Sequence, residues 1–310
     1  HNLVLKIEKA LENHQFCYVL FLDMSAAFNN ASVNGMIKAL QDVGTEREIV
    51  KWVEHMLLNR QVTAQINSDT VKKMVDRGCP QGGILSVILW NLIELDLLRR
   101  FPPDNPTFIN IYGDDKHDIA IGHDEQECIK SLQKDIVIME QWARHHSLQF
   151  NAEKTKVMVF SRTRSPKKPD LFIYGKKIEY VKDYKYLGVT ISDNLLWKKH
   201  ITNVAQKATF TMMNCRKMMS KTWGLSPKIS RWMYLSLVRP VMTYACMIWI
   251  KSTKVISHMK LLEKVQRRGC LSVLNAMHTT PTSGMEVMIN IQLILFILRC
   301  KQSLLTRDCL

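Results

Sequence analysis

Apolar residues in the first two thirds of the chain come in short runs that end on glycine, proline or an acid, whereas in the last third they recur at spacings of three and four. The runs read as strands at Tyr18 to Leu22, Val62 to Ile66, Phe108 to Tyr112, Ile119 to Ile121, Val157 to Phe160, Leu171 to Tyr174 and Tyr186 to Ile191. Helical patterns separate them. Ser32 is placed to cap a helix through Val43 that Gly44 ends, and Thr45 to cap another running to Leu58. Asp124 is placed to cap a stretch to Arg144, in which Cys128, Leu132, Ile136, Met139 and Ala143 share one face. Ile84 to about Arg99 reads as an amphipathic helix. From Trp197 onward the strand signals stop, and Pro240 is positioned to break or kink the helical pattern. The pattern therefore predicts a mixed first half and a helical remainder, with a charged, proline-bearing loop at Ser161 to Asp170 and no internal repeat.

Two of the apolar runs close on acids. Val19 to Leu22 ends in Asp23, and Phe108 to Tyr112 is followed by Gly113-Asp114-Asp115. Adjacent carboxylates repel, and a divalent cation is the natural agent to relieve that repulsion. Gly-Asp-Asp is equally good hairpin material, since glycine takes positive φ and aspartate bonds its own backbone. Between the acids, Gly78-Cys79-Pro80-Gln81-Gly82-Gly83 opens the Ile84 helix, and its glycines permit close backbone approach.

Taken in order, Phe21-Leu22-Asp23 with Ala27-Phe28, Pro80-Gln81-Gly82-Gly83 and Tyr112-Gly113-Asp114-Asp115 resemble motifs A, B and C of reverse transcriptases. The closest resemblance is to non-LTR, jockey-like retrotransposons. Leu148 to Thr155, Tyr186-Leu187-Gly188-Val189, Val238-Arg239-Pro240 and Thr279 to Thr282 are similar to segments that follow in that family, so the likeness covers nearly the whole chain. It implies an α+β fold: a right-hand polymerase palm over residues 1–195, with a ferredoxin-like antiparallel sheet and packed helices, then a helical thumb and C-terminal region over 196–310. It also implies an RNA-directed DNA polymerase using two Mg²⁺ ions, with Mn²⁺ as a substitute, about 3.5–4 Å apart. Its implied partners are an RNA template, a DNA primer or target DNA and dNTPs.

By the same resemblance, Asp23, Asp114 and Asp115 are the catalytic metal ligands. Phe28 lies under the incoming sugar, with ordinary core packing as its other reading. Gln81 and Gly82 lie near the nascent base pair. Lys154 assists the leaving pyrophosphate or is a surface cation. Tyr186, Leu187 and Gly188 grip the primer strand. Lys198, Lys199, Lys207, Arg216, Lys217 and Lys221 track duplex phosphates, while Trp197 and Trp223 anchor helix packing.

Charge adds what the motifs do not. Residues 1–150 carry 15 Lys+Arg against 20 Asp+Glu, 151–230 carry 17 against 5, and 231–310 carry 11 against 3, for a net +15 over 310 residues. An acidic region joined to a basic one suits a metal site beside a polyanion-binding surface. The 46% hydrophobic content is enough for a sizeable core in two or more subdomains. Cys17, Cys79, Cys128, Cys215, Cys246, Cys270, Cys300 and Cys309 show no zinc-like spacing and read as reduced thiols of an intracellular protein, expected in the nucleus when acting on chromosomal DNA. No signal sequence or apolar run long enough to span a membrane is found. The chain begins at His1, with seventeen residues before the first strand, so it is expected to be a fragment lacking most of the fingers, an upstream endonuclease and any RNase H.

Four positions depart from the family pattern: Asn29 where an aspartate is usual, Gly113 for alanine, Val87 for proline, and Lys116-His117-Asp118 where apolar residues are usual. Lys116 is expected to pair with Asp115 and weaken its ligation, and burying these charges is costly. These departures keep a second reading open, a catalytically inactive relic that only binds nucleic acid. A palm-like nucleotide cyclase fits the acidic half but leaves the Gln81-Gly82 segment and the basic half unexplained.

Overall fold

The computed structural model describes residues 1–25, 27–58, 60–80, 82–217 and 225–298, which form two compact units, Lys6–Lys182 and Asp183 onward with His1–Leu5. The first unit carries, in chain order, α1 (Asn2–Glu12) from Lys6 on, β1 (Phe16–Leu22), α2 (Ala27–Asn30), α3 (Val33–Asp42), α4 (Arg47–Leu57), β2 (Arg60–Ile66), β3 (Asp69–Val75) and α5 (Ile84–Arg99). It continues with β4 (Thr107–Tyr112), β5 (Asp115–Gly122), α6 (Glu125–His145), β6 (Lys156–Phe160), β7 (Phe172–Ile173), β8 (Lys176–Lys177) and β9 (Glu179–Tyr180).

Five strands make one sheet in the order β4-β5-β1-β6-β9, antiparallel except between β6 and β9. Central β1 is buried on both faces, which is why Cys17 to Leu22 is continuously apolar rather than alternating. Its Tyr18, Leu20 and Leu22 join Leu89, Trp90, Ile93 and Leu97 of α5 and Leu132, Ile136, Met139 and Trp142 of α6 in one core. An antiparallel sheet packed by helices is the α+β arrangement expected of the sequence.

Local chemistry fixes the helix ends. Ser32 Oγ accepts from Gly35 N–H, and Asp124 accepts from Gln126 N–H at 2.8 Å, so both expected caps are present. Thr45 does not cap α4. Its N–H instead closes the end of α3 on Leu40 O, with Gly44 in the left-handed region, and Glu46 takes the α4 cap position without a side-chain bond. Helix α5 is apolar around its circumference rather than amphipathic, with Leu89, Trp90, Ile93 and Leu97 buried while Ile84, Val87 and Ile88 face outward. Strand β3 went unread because Asp69, Lys72 and Lys73 make it polar. It pairs with β2 in a separate, largely exposed hairpin that Arg60 anchors by donating to Leu57, Arg77 and Gly78 carbonyls.

The second unit contains β10 (Asp183–Tyr186), β11 (Val189–Ser192), α7 (Lys198–Lys217), α8 (Pro227–Met233), α9 (Arg239–Thr243), α10 (Cys246–Trp249), α11 (Ile256–Leu274) and α12 (Thr282–Met288). The expected strand at Tyr186 to Ile191 is broken at Leu187 and Gly188, whose φ values of 45° and 79° turn β10 back onto β11. This hairpin belongs to the second compact unit, which runs from Asp183 onward. Ahead of Pro240, which has no N–H to give to the preceding turn, residues Tyr234–Val238 are wound as a π-helical turn. Among the described residues no single helix is long and apolar enough to cross a membrane, and Cys17, Cys79, Cys128, Cys215, Cys246 and Cys270 are buried free thiols.

Candidate active site

Sheet register brings the acids together. Leu22 at the end of β1 lies opposite Lys116, and Tyr112 pairs with Asp115 across a two-residue turn, so Asp23 emerges beside Asp114 and Asp115 at one end of the sheet. Gly113 has φ +60° and Asp114 does not have positive φ, the pattern of a type II′ hairpin turn, which requires glycine at its first position. Asp23 is fixed by the segment after α6: Asn151 N–H donates to Asp23 O at 2.8 Å, Ser25 N–H to Gln149 O, and Met24 bridges Phe150.

The electrostatics are those of converging like charges. Burial raises the carboxyl pKa of Asp115, Asp114 and Asp23 raise it further, and Lys116 opposes them. Asp23 Oδ2 is buried and has no hydrogen bond. Lys154 Nζ stands 3.5 Å from it, an ion-pair distance too long for a well-made hydrogen bond, and Lys154 reaches this point because Asn151 Oδ1 accepts from both Glu153 and Lys154 N–H. No three His, Cys, Asp or Glu side chains among the described residues close into a finished ligand cage. An all-oxygen donor set with one orphaned carboxylate oxygen and mutual repulsion nevertheless fits a hard divalent cation, which takes such oxygens and keeps several waters.

Lys116 departs from expectation. It does not pair with Asp115 but is buried at 1% exposure, its Nζ 2.7 Å from Glu94 Oε1 of α5 and 3.2 Å from Met24 Sδ, with the Trp90 and Trp142 rings nearby. Burial pushes the lysine down and Glu94 up in pKa, and each partner pulls the other back. His117 is also buried, and burial pushes it down to about 4. Asp118, fully buried, is raised well above the usual carboxylate range by burial and by neighbouring Asp135.

Phe28 is half-buried and lies 5.1 Å from the Trp90 ring. Gly82 is exposed with φ +86°, and Gln81 lies outside the described residues. The preceding Gly78 sits where a Cβ would come within 2.5 Å of Asn29 O, and Cys79 N–H donates to Phe28 O. That backbone-on-backbone seam joins the Phe28-Asn29 segment to the loop that leads into α5. The close backbone approach expected of the glycines in this segment is made by Gly78, against the protein's own Phe28-Asn29 backbone.

In the second unit, Tyr186 is buried, while Leu187 and Gly188 form the turn of the β10–β11 hairpin, with Tyr244 Oη donating to Leu187 O at 3.0 Å. Gly188 and Lys207 come together in a cavity of about 620 Å³ that Lys185, His200, Asn203 and Tyr244 also line. Lys199 is engaged by Asp183 at 2.8 Å. Lys198, Arg216 and Lys217 are exposed on other sides of α7, away from that cavity, so the five described cations do not form one stripe. Trp197 is buried edge-on to His200 as a packing anchor, and Lys221 and Trp223 fall outside the described residues.

The reverse transcriptase (RNA-dependent DNA polymerase) family matches residues 2–191. The chain belongs to that family. It is 26% identical over 273 residues to a 115 kDa protein of the type-1 retrotransposable element R1DM of Drosophila melanogaster, covering 87% of this chain and 26% of that protein. It is 25% identical over 276 residues to the RNA-directed DNA polymerase from the mobile element jockey of the same fly, covering 86% and 29%. This reverse transcriptase domain thus spans between a quarter and three tenths of the length of these two relatives. It also resembles a telomerase of Candida tropicalis with a TWJ fragment of telomeric RNA, at TM-score 0.47 and 12% identity over 97% of this chain and 49% of that one, too slight a likeness to argue from. The match ends one residue short of the end of β11, so the reverse transcriptase homology takes in the aspartates, the Gly78 seam and the hairpin turn.

Proposed function

We propose that this reverse transcriptase domain catalyses template-directed nucleotidyl transfer, adding dNTPs to a DNA primer on an RNA template. The observation that carries the reading is the register that sets Asp23, with its orphaned Oδ2, beside the Asp114–Asp115 turn. Asp23 and Asp114 would hold two Mg²⁺ ions with Asp115 in support. Bound there, the ions supply charge neutralisation at the attacking and leaving oxygens. The chain's own residues do the positioning: Phe28 faces the sugar, the Gly82 turn leaves room for the nascent base pair, and Lys154, held at Asp23, is placed to give a proton to the departing pyrophosphate. Residues Lys6–Lys182 act as the palm and the remainder as the thumb. Lys207, Lys185 and the Leu187-Gly188 turn contact backbone phosphates without reading sequence. Action at chromosomal DNA places the protein in the nucleus.

Primer extension tests the reading. With oligonucleotide-primed RNA, dNTPs and Mg²⁺ the protein extends the primer, and Asp114→Asn abolishes extension while salt-dependent RNA binding persists. Binding without extension by the parent protein would establish the inactive, binding-only alternative. Lys116 pairs with Glu94 and acts on Asp115 only through space, which weakens one of the sequence arguments for that alternative.

A further inference from the structure

Trp90 lies on α5 one turn before Glu94, whose carboxylate it also hydrogen-bonds, and three further groups meet its indole. Nε1–H donates to Gly113 O at 3.2 Å, the Phe28 ring lies 5.1 Å away at 34°, and the Lys116 ammonium sits 5.3 Å from the ring. The side chain is 1% exposed and belongs to the main core, so it cannot shift toward one neighbour without disturbing the others. Gly113, with open space where a Cβ would stand, has little of its own to fix which way its peptide faces. The indole N–H supplies that constraint from below.

We infer that Trp90 is a positioning residue that holds the Phe28 ring and the Asp114-bearing turn in fixed relation, so that turnover and sugar discrimination both depend on this one side chain. The inference rests on the polymerase reading above. It has two separable arms: a hydrogen-bond arm, indole N–H to Gly113 O, which sets the carboxylates, and a packing arm, indole face to Phe28, which sets the surface under the sugar. The buried Lys116–Glu94 pair braces the same helix face against β5.

Two substitutions divide the arms. Trp90→Phe keeps a ring against Phe28 but removes the donor, and it lowers kcat for dNTP addition by about tenfold, the size of one lost hydrogen bond, with an unchanged ratio of ribonucleotide to deoxynucleotide use. Trp90→Leu removes both arms and also raises that ratio, by about tenfold on the scale of one aromatic contact. A merely structural role lowers the active fraction and leaves the ratio alone. An active parent matched in kcat by Trp90→Phe, or a Trp90→Leu variant that loses both sugars in proportion, overturns the inference. A parent that adds neither sugar overturns the polymerase reading itself. The hydrogen-bond arm is then still read by amide exchange, which Trp90→Phe accelerates at Asp114 to Lys116; unchanged exchange there overturns it.

Discussion

Two tight hairpins, one in each unit, make the molecule's most instructive contrast. The β4–β5 turn carries Gly113 and Asp114, and the β10–β11 turn carries Leu187 and Gly188. Each is held by an aromatic donor reaching a turn carbonyl, Trp90 of α5 to Gly113 O at 3.2 Å and Tyr244, just past α9, to Leu187 O at 3.0 Å. Their surroundings are of opposite sign. The first turn gathers carboxylates above a neutralised Lys116–Glu94 pair, while the second borders a cavity with Lys185 and Lys207 and no acid in its lining. The whole-chain charge follows the same division, 24 Lys+Arg against 23 Asp+Glu in residues 1–182 and 19 against 5 in residues 183–310. In the proposed reading, one backbone device thus serves two purposes, presenting acids to a cation and donors to a polyanion.

Removing charge from the first turn is expected to have the largest effect. Asp114→Asn or Asp23→Asn lowers the rate constant of primer extension by roughly a thousandfold, the scale of a lost electrostatic group in a water-poor site. The equivalent loss in the second unit, Lys207→Ala, weakens RNA binding uniformly across sequences and reduces the salt dependence by about one ion, read from binding at several salt concentrations.

The brace beneath the first turn sharpens the contrast further. Glu94→Leu alone strands a buried ammonium and costs about 3–5 kcal/mol in urea unfolding, whereas Glu94→Leu with Lys116→Met replaces both charges by apolar volume and is neutral or stabilising. A double variant as damaged as the single one contradicts the assigned pairing.

Acid separates neither unit from the other, because each buries a histidine whose pKa is pushed far down. His117 in the first and His200 in the second are both pushed down to about 4 by burial, from 6.5 in the unfolded chain. A depressed histidine pKa means that the unfolded chain binds the extra proton first. The stability these groups contribute is present above pH 6.5, falls as pH drops toward 4 and levels off below that, by about 2–3 kcal/mol for each. Unfolding free energy measured against pH, with His200→Phe flattening one share of the slope, checks this.

The smallest effect is conformational. Gly113→Ala meets no atom within 4 Å, so its cost is the positive φ alone, about 1 kcal/mol, seen as a melting-temperature drop of a few degrees.

How much of this was legible in the sequence depended on the range of the interaction. Asp23 and the Asp114–Asp115 pair could be read because apolar runs announced the strands that deliver them, and Ser32 and Asp124 because a cap acts within three residues. Thr45 failed as a cap because two helix ends competed for one short loop, and the end of α3 took its N–H. Strand β3 was hidden because a hairpin exposed on both faces needs no apolar alternation. The Lys116–Glu94 pair and the reach of Trp90 were beyond reading, since residues 22 and 23 positions apart meet only through the way α5 lies across the sheet. Lys116 accordingly read as a defect beside the site, and it proves to be directed away from it.

The central claim is that Asp23, Asp114 and Asp115 make one divalent-cation site. Mn²⁺ titration followed by electron paramagnetic resonance, on the parent protein with primer and RNA template bound, tests it most directly. The account predicts saturable Mn²⁺ binding that Mg²⁺ displaces and that Asp23→Asn and Asp114→Asn each abolish or weaken by at least about tenfold. Binding that both variants leave intact, or a parent protein that takes up no Mn²⁺, would contradict it.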